Sequence, residues 1–167
     1  AGMGAATERA DQAIRETAGV VLLHDGVVIE AVYSASCGGV TANSEDVWRQ
    51  PVPYLRARLD TTDAGPVNLA SYTLVNQWMH SLPDVYSNPM NSSVIPEGER
   101  WYFRWRKEVS ARALTRAANR RRAIGQVRDI LVMDRTTSGR VRTLKIVGES
   151  GELTVSGYAD IRAILDH

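Results

Sequence analysis

Apolar residues recur at helical spacing in four stretches of the chain and predict four helices. These helices are expected from Thr7 to Ala18, from Tyr72 to Leu82, from Ser110 to about Arg122 and from Tyr158 to Leu165. Thr7 and Ser110 fit the N-cap position, because a side-chain hydroxyl there accepts a hydrogen bond from a backbone N–H that lacks a partner in the helix. Each helix is short and has one apolar face to bury.

Alternating and β-branched stretches predict two groups of strands. Val20 to Leu23 and Val27 to Tyr33 flank His24-Asp25-Gly26, and the Asp-Gly pair supplies the positive φ of a tight hairpin turn. Looser alternation permits another strand over Trp101 to Val109. Three further strands, separated by Ser-Gly dipeptides, predict an antiparallel meander: Val127 to Asp134, Arg140 to Val147 and Glu152 to Ser156.

These elements predict an α+β fold, a β-hairpin plus an antiparallel meander with several short helices. With 167 residues, the chain is expected to form a single domain over residues 1–167. Three regions are expected within it: 10–60, an irregular proline-rich insert at 61–100, and helix and antiparallel strands at 101–167. All six prolines lie between residues 50 and 98, so regular structure must be interrupted often there.

The net charge of +1 conceals a basic segment in the second half of the chain. A solvated helix face is the favoured interpretation of this segment, and an anionic-polymer site is the alternative. The pI of about 8.2 is too mild for a nucleic-acid partner, and the interleaved aromatics at 101–105 are expected to belong to core or strand surface. The basic residues are Arg100, Arg104, Arg106, Lys107, Arg112, Arg116, Arg120, Arg121 and Arg122.

Several kinds of site are disfavoured by the composition. The three histidines are far apart and form no ligand pair with Cys37, so we expect no metal, and no phosphate-binding loop or other cofactor motif is present. Cys37 is the single cysteine, which excludes an internal disulfide, and it is expected to be a small packing residue rather than a nucleophile. No stretch of about 18 apolar residues predicts a membrane span.

The run from Tyr33 to Trp48 is the candidate binding site, because it combines hydroxyl, amide and carboxylate side chains with two glycines and a large aromatic. Glu45 and Asp46 are adjacent, so they cannot serve as the two facing carboxylates of ordinary glycoside hydrolysis. Each of them could instead bind a sugar hydroxyl or cap the turn that leads to Trp48. Trp48 could stack on a sugar ring or seal a loop onto the core. The candidate substrate-binding residues are Tyr33, Ser34, Ser36, Gly38, Gly39, Thr41, Glu45 and Trp48.

This run belongs to a longer pattern that resembles the stage II sporulation protein D family, which includes the amidase-enhancer proteins of bacterial cell walls. The resemblance is dense over about residues 10–60 and looser from Trp101 to Leu165. The residues that carry it are Ala13-Ile14, Thr17, Gly19, Leu22, Gly26, Ile29-Glu30-Ala31, Tyr33, Ser36-Cys37-Gly38-Gly39, Thr41, Asp46-Val47-Trp48, Tyr54-Leu55, Trp105, Ser110, Leu114, Ser138-Gly139-Arg140-Val141, Ser156-Gly157 and Arg162.

The resemblance implies peptidoglycan as substrate and lytic transglycosylase activity, with a location in the bacterial cell envelope or outside the cell. The family's catalytic Glu lies in a Glu-Met-Pro motif that this sequence lacks, so the catalytic residue is unknown. We therefore expect a peptidoglycan-binding portion of a longer protein, inactive alone, whose partners are glycan strands and either a cell-wall amidase or another envelope protein. The alternative is a non-enzymatic amidase enhancer or partner-binding module.

Overall fold

The computed structural model of the protein describes residues 7–48, 50–63, 65–91, 95 and 97–166. The chain divides into two compact units, Ala1–Tyr33 and Ser34–His167. Among the described residues, no helix is both long enough and apolar enough to cross a membrane. Because a division by contacts does not test folding, the expectation of one domain over residues 1–167 stays a prediction.

Within residues 7–33, the first unit contains one helix and one short hairpin. Helix α1 spans Glu8–Glu16 and begins at Thr7, whose hydroxyl accepts a hydrogen bond from the Ala10 N–H at 3.2 Å. Strands β1, Leu23–His24, and β2, Val27–Val28, pair in antiparallel register around a turn in which Asp25 and Gly26 have φ values of +49° and +78°. The predicted turn is therefore confirmed.

The predicted length of the hairpin strands is wrong, since each strand has two residues. The large apolar side chains from Val20 to Val28 are 57% to 69% exposed, so no packed layer extends the pairing. A two-stranded hairpin without such a layer is marginal in water.

The second unit holds a three-stranded antiparallel sheet in the order β3-β4-β5, which confirms the predicted meander and the α+β class. Strand β3 spans Val127–Arg135, β4 spans Val141–Gly148 and β5 spans Glu152–Ser156. In the register, Leu144 lies between Val132 and Val155, and Ile146 lies between Ile130 and Leu153. Strand β3 forms one edge of the sheet and contains register shifts near both ends.

The described residues of this unit also form four α-helices and a 3₁₀ helix. They are α2, Glu45–Trp48; α3, Tyr72–His80; the 3₁₀ helix, Glu97–Tyr102; α4, Ala111–Arg121; and α5, Tyr158–Leu165. Helices α3, α4 and α5 were predicted, and Ser71 and Ser110 cap α3 and α4 through their hydroxyls. Helix α2 was not predicted, because its four residues are too few to show a period.

The strand predicted over Trp101 to Val109 is wrong, and of its aromatics, which were expected in the core or on a strand surface, Phe103 belongs to the core. The 3₁₀ helix ends at Tyr102, and residues 103–109 contain no strand. Phe103 is buried, whereas Trp101 stacks on Tyr102 at the surface and Trp105 is 64% exposed. Aromatic residues favour strands when their rings pack on neighbouring side chains, and the exposed rings of Trp101 and Trp105 lack such packing.

The core forms where α4 and α5 pack against one face of the sheet. Its most deeply buried members are Ala118, Ile124, Ile146 and Ile164, each with at most 1% of its surface exposed. Gly148 closes this core against the loop after α4, because a Cβ there would lie 2.1 Å from the Ile124 carbonyl oxygen.

Candidate functional site

A groove of about 560 Å³ opens in the second unit where the first part of the candidate run meets two distant segments of the chain. Its volume lies within the usual range for small-ligand sites, about 300–1,000 Å³. The lining residues are Ser34, Ala35, Ser36, Cys37, Thr41, Asp60, Tyr86, Ser87, Pro89, Ile95, Glu99, Arg100 and Phe103.

Asp60 ties two walls of the groove together. Its N–H donates to the Gly39 carbonyl at 3.0 Å, and its own carbonyl accepts from the Tyr86 N–H at 2.9 Å. One carboxylate oxygen accepts from the Ser87 N–H at 2.9 Å. Asp60 is thus a fixed acidic group on the groove wall, where its carboxylate can accept hydrogen bonds from a ligand.

Tyr86 forms part of the groove rim. Its ring is 61% exposed, and its hydroxyl shares a hydrogen bond with the Thr62 hydroxyl. Phe103 lies on the same groove but is buried, so it supplies apolar surface from below. An exposed aromatic ring next to hydroxyl groups can stack on the apolar face of a sugar while the polar groups bind its rim.

Asp60, Tyr86 and Ser87 are not predicted by any local pattern of the sequence. They lie in or beside the proline-rich stretch that predicted irregular structure, and 26 residues separate Asp60 from Tyr86 in the chain. An isolated β-bridge between Val40 and Leu59 brings Asp60 to the groove wall. Such a single pair leaves no periodic pattern in the sequence. A contact of this range cannot be read from local spacing.

Gly38 and Gly39 shape the groove wall rather than line it. Their φ values are +69° and +90°, which favour glycine. A Cβ on Gly39 would lie 2.8 Å from a ring carbon of Trp78 and 3.0 Å from a methyl of Val85. The glycines therefore let the turn pack tightly against α3, and the Gly38 N–H is already bonded to the Ser36 hydroxyl at 3.2 Å.

Arg104 holds this turn in place from behind. Its guanidinium donates to the carbonyl oxygens of Gly38 at 3.0 Å, Trp78 at 3.2 Å and Met79 at 3.3 Å. The last two are carbonyls in the final turn of α3, and the Trp78 carbonyl also accepts from the N–H and the hydroxyl of Ser81, the residue that caps the helix. One side chain of the basic segment is therefore structural and not part of a solvated helix face.

Cys37 lies on the groove with its sulfur 3.6 Å from the Ser87 hydroxyl. Burial raises the pKa of the Cys37 thiol above its usual value of 9.0, against the smaller effect of the Ser87 hydrogen bond. The thiol is therefore protonated at neutral pH, and the thiolate is the form that acts as a nucleophile. This agrees with the expectation of a packing residue.

Glu45 and Trp48 lie on α2 and are not among the residues that line the groove. Both carboxylate oxygens of Glu45 accept hydrogen bonds from the Arg56 guanidinium, at 2.5 and 2.9 Å. These bonds lower the pKa of Glu45. The neighbouring Asp46 accepts from Arg142 at 3.1 Å, so both acids of the candidate run have internal partners, while Trp48 is 56% exposed.

The predicted site residues therefore separate into groups. Ser34, Ser36 and Thr41 line the groove, Gly38 and Gly39 support it, and Glu45 and Trp48 lie on α2. Tyr33 belongs to the first unit, where its side chain is 99% exposed. The role of these residues in binding stays a prediction.

The described histidines, cysteine and acids contain no group of three that could hold a metal ion. His167 lies outside the described residues.

Comparison with known proteins shows one local similarity. Over 53 residues the chain is 47% identical to the amidase enhancer of Bacillus subtilis (strain 168), a segment that covers 32% of this chain and 8% of that protein. No solved structure matches the chain. The amidase-enhancer part of the resemblance is thereby supported, while membership in the stage II sporulation protein D family stays a prediction. A family model matches most of the chain, residues 42–167, and the protein belongs to this family, described as a domain of unknown function (DUF8618).

Proposed function

We propose that the protein is a non-catalytic module of the bacterial cell envelope that binds peptidoglycan glycan strands in its groove and acts beside a separate cell-wall amidase. The observation that carries the proposal is the groove itself, with its fixed carboxylate at Asp60 and its exposed ring at Tyr86. The local similarity to a protein named amidase enhancer supports the choice of partner.

The groove chemistry suits a carbohydrate. The hydroxyls of Ser36 and Ser87 line it together with the Asp60 carboxylate and offer both donors and acceptors to a ligand, while the Thr41 hydroxyl is already bonded to the Arg56 carbonyl and the Arg58 N–H. Sugar hydroxyls need such mixed partners, and a site built for them discriminates strongly against ligands that leave its polar groups unpaired.

The internal bonds of the acidic residues favour binding over catalysis. Of the two acids of the candidate run, Glu45 is bound by Arg56 and Asp46 by Arg142, and Asp60 on the groove is anchored by the Ser87 N–H. The protonated Cys37 thiol is not set up for nucleophilic attack. A module that grips the glycan while another enzyme cleaves the wall needs none of these groups to react.

Lytic transglycosylase activity, the reaction implied by the sporulation protein D resemblance, is the second candidate. The presence of two carboxylates on the groove, Asp60 and Glu99, favours it. One acid/base group can drive that reaction, because a hydroxyl of the substrate replaces water as the nucleophile. Incubation of the chain with denuded peptidoglycan, followed by mass spectrometry, is expected to give no anhydro-muropeptides, and their appearance would establish this second candidate instead.

Two exposed aromatics provide a matched pair for testing glycan binding. Tyr86 lies on the groove and Trp48 on α2, and they are 61% and 56% exposed, so neither truncation opens a cavity. In a pull-down with purified peptidoglycan, Tyr86→Ala is expected to lose about tenfold of the binding, because the ring buries apolar surface against the sugar at about 25 cal/mol per Å² and tenfold in affinity corresponds to about 1.4 kcal/mol. Trp48→Ala is expected to bind like the wild type.

The same two variants separate the glycan from the amidase contact. Stimulation of a purified cell-wall amidase is measured on soluble muropeptides, where no glycan strand can bridge the two proteins. Tyr86→Ala is expected to keep this stimulation.

Glycan binding that survives Tyr86→Ala and disappears in Trp48→Ala would place the glycan on α2 and overturn the assignment of the groove.

A further inference from the structure

Helix α4 carries three arginines on one face, Arg112, Arg116 and Arg120, which we call the arginine stripe. The residues are four positions apart, so their backbones follow one another by about 6 Å along the helix axis. All three are exposed, whereas Ala113, Leu114, Ala117 and Ala118 form the buried face of the same helix. None of the three lines the groove described above.

None of the three arginines of the arginine stripe has an acidic partner among the residues that the structure describes. Six other described arginines, Arg121 of the same helix among them, each bind a carboxylate. The sequence of α4, Ala-Arg-Ala-Leu-Thr-Arg-Ala-Ala-Asn-Arg-Arg, contains no acidic residue. The positive charge of this face therefore reaches solvent without internal neutralisation.

Helix energetics make this arrangement unfavourable for a face that only solvates the helix. Like charges four residues apart repel each other, and Arg112–Arg116 and Arg116–Arg120 are two consecutive pairs of this kind. Arg112 also lies in the first turn, near the positive end of the helix dipole, where acidic residues are favoured. Solvated helix faces usually alternate charge signs, which removes both costs.

We infer that the arginine stripe is a binding surface for a linear polyol phosphate, a polymer whose repeating phosphodiester groups are joined by short polyol units. A guanidinium binds phosphate oxygens through two parallel N–H donors, which makes arginine better suited than lysine to this ligand. A flexible chain can place successive phosphates on successive turns of α4. Because α4 contains no aromatic residue, it offers no ring on which a nucleobase could stack, which favours a polymer without bases.

The test measures binding of fluorescent poly(glycerol phosphate) to the full 167-residue chain by anisotropy at several salt concentrations. The stripe variant is R112Q/R116Q/R120Q. Its matched control is R9Q/R15Q/R106Q, which removes the same charge from exposed positions outside α4. Since the replaced side chains are exposed, both variants are expected to keep the wild-type thermal midpoint.

The stripe variant is expected to bind at least about tenfold more weakly at physiological salt, while the control binds like the wild type. The slope of log affinity against log salt should become shallower by about 2, because each phosphate contact contributes about 0.7 in a single strand. If both variants bound equally weakly, net charge alone would explain the effect and the proposal would be overturned. Two results with the wild type would also overturn it: no binding of poly(glycerol phosphate) at about 0.1 M salt, or equally tight binding of an oligothymidylate of the same charge.

Discussion

Glu45 and Arg56 form the most tightly bonded ion pair near the groove, and the pair connects α2 to the segment that borders the groove wall. Two hydrogen bonds join the side chains, and the Arg56 carbonyl oxygen accepts a further bond from the Thr41 hydroxyl at 2.7 Å. Thr41 lines the groove. The charge state of Glu45 therefore affects the residues that hold one side of the site.

Acidification is expected to break this pair. The Arg56 hydrogen bonds lower the pKa of Glu45 below its ordinary value of 4.5, so the folded state favours the carboxylate. The stabilisation is fully present above pH 4.5 and is lost as the pH falls through the lowered value. Glu45→Gln is thus expected to lower the free energy of unfolding at neutral pH and to match the wild type in strong acid, as measured by urea denaturation across this range.

Glu97→Gln is the control for this measurement, because Glu97 is exposed and lies on the 3₁₀ helix away from Arg56. Its difference from the wild type should stay small at every pH. If the difference between Glu45→Gln and the wild type were the same at neutral and acid pH, the pair would not be the source of the stabilisation.

At the scale of elements, local sequence patterns predicted those helices, turns and strands whose formation depends on nearby residues. Helix α4 begins at Ser110 as expected, and the meander strands follow the predicted order and nearly the predicted bounds, because capping, turns and periodicity act over a few residues. The hairpin strands are shorter than predicted, since strand length depends on a packing layer that the sequence does not show. Ser34, Ser36 and Thr41, which belong to the candidate run, line the groove, whereas Asp60 and Tyr86 reach it through long-range contacts that no local pattern indicates.

Arg104 is the residue on which the junction of α3 with the Gly38 turn depends. It donates to three carbonyl groups outside its own segment, and its guanidinium carbon lies 4.0 Å from the centre of the Phe103 ring. A lysine has one ammonium group and cannot reproduce this fork of donors. Arg104→Lys is expected to lower the free energy of unfolding by about 1–2 kcal/mol and to weaken glycan binding in the groove, measured by urea denaturation and pull-down.

Arg106→Lys is the neighbouring control, because Arg106 is exposed and pairs with exposed Glu108. That substitution should change stability by less than about 0.5 kcal/mol. An Arg104→Lys protein as stable as the wild type would show that the carbonyl groups find other partners, and the junction would then not depend on this side chain.

At the scale of the whole molecule, the two units differ in how much surface each buries. Helix α1 has no buried residue, and the apolar side chains of the first hairpin are exposed. The second unit contains the buried cluster between α4, α5 and the sheet, with Ile146 and Ile124 fully enclosed. Since burial of apolar surface is the main favourable term in folding, stability must be concentrated in the second unit.

Hydrogen exchange on the intact chain is expected to show this division. Amides of β4 from Leu144 to Ile146 should exchange slowest, because they open only when the core unfolds. Amides of α1 should exchange within about tenfold of unstructured peptide rates, since a nine-residue helix without burial is marginal in water. Added urea should accelerate β4 exchange steeply and leave α1 almost unchanged, because α1 opening exposes little new surface. Slow exchange in α1 that persists on dilution would contradict this division, and slow exchange that dilution abolishes would trace the protection to association through the exposed hairpin.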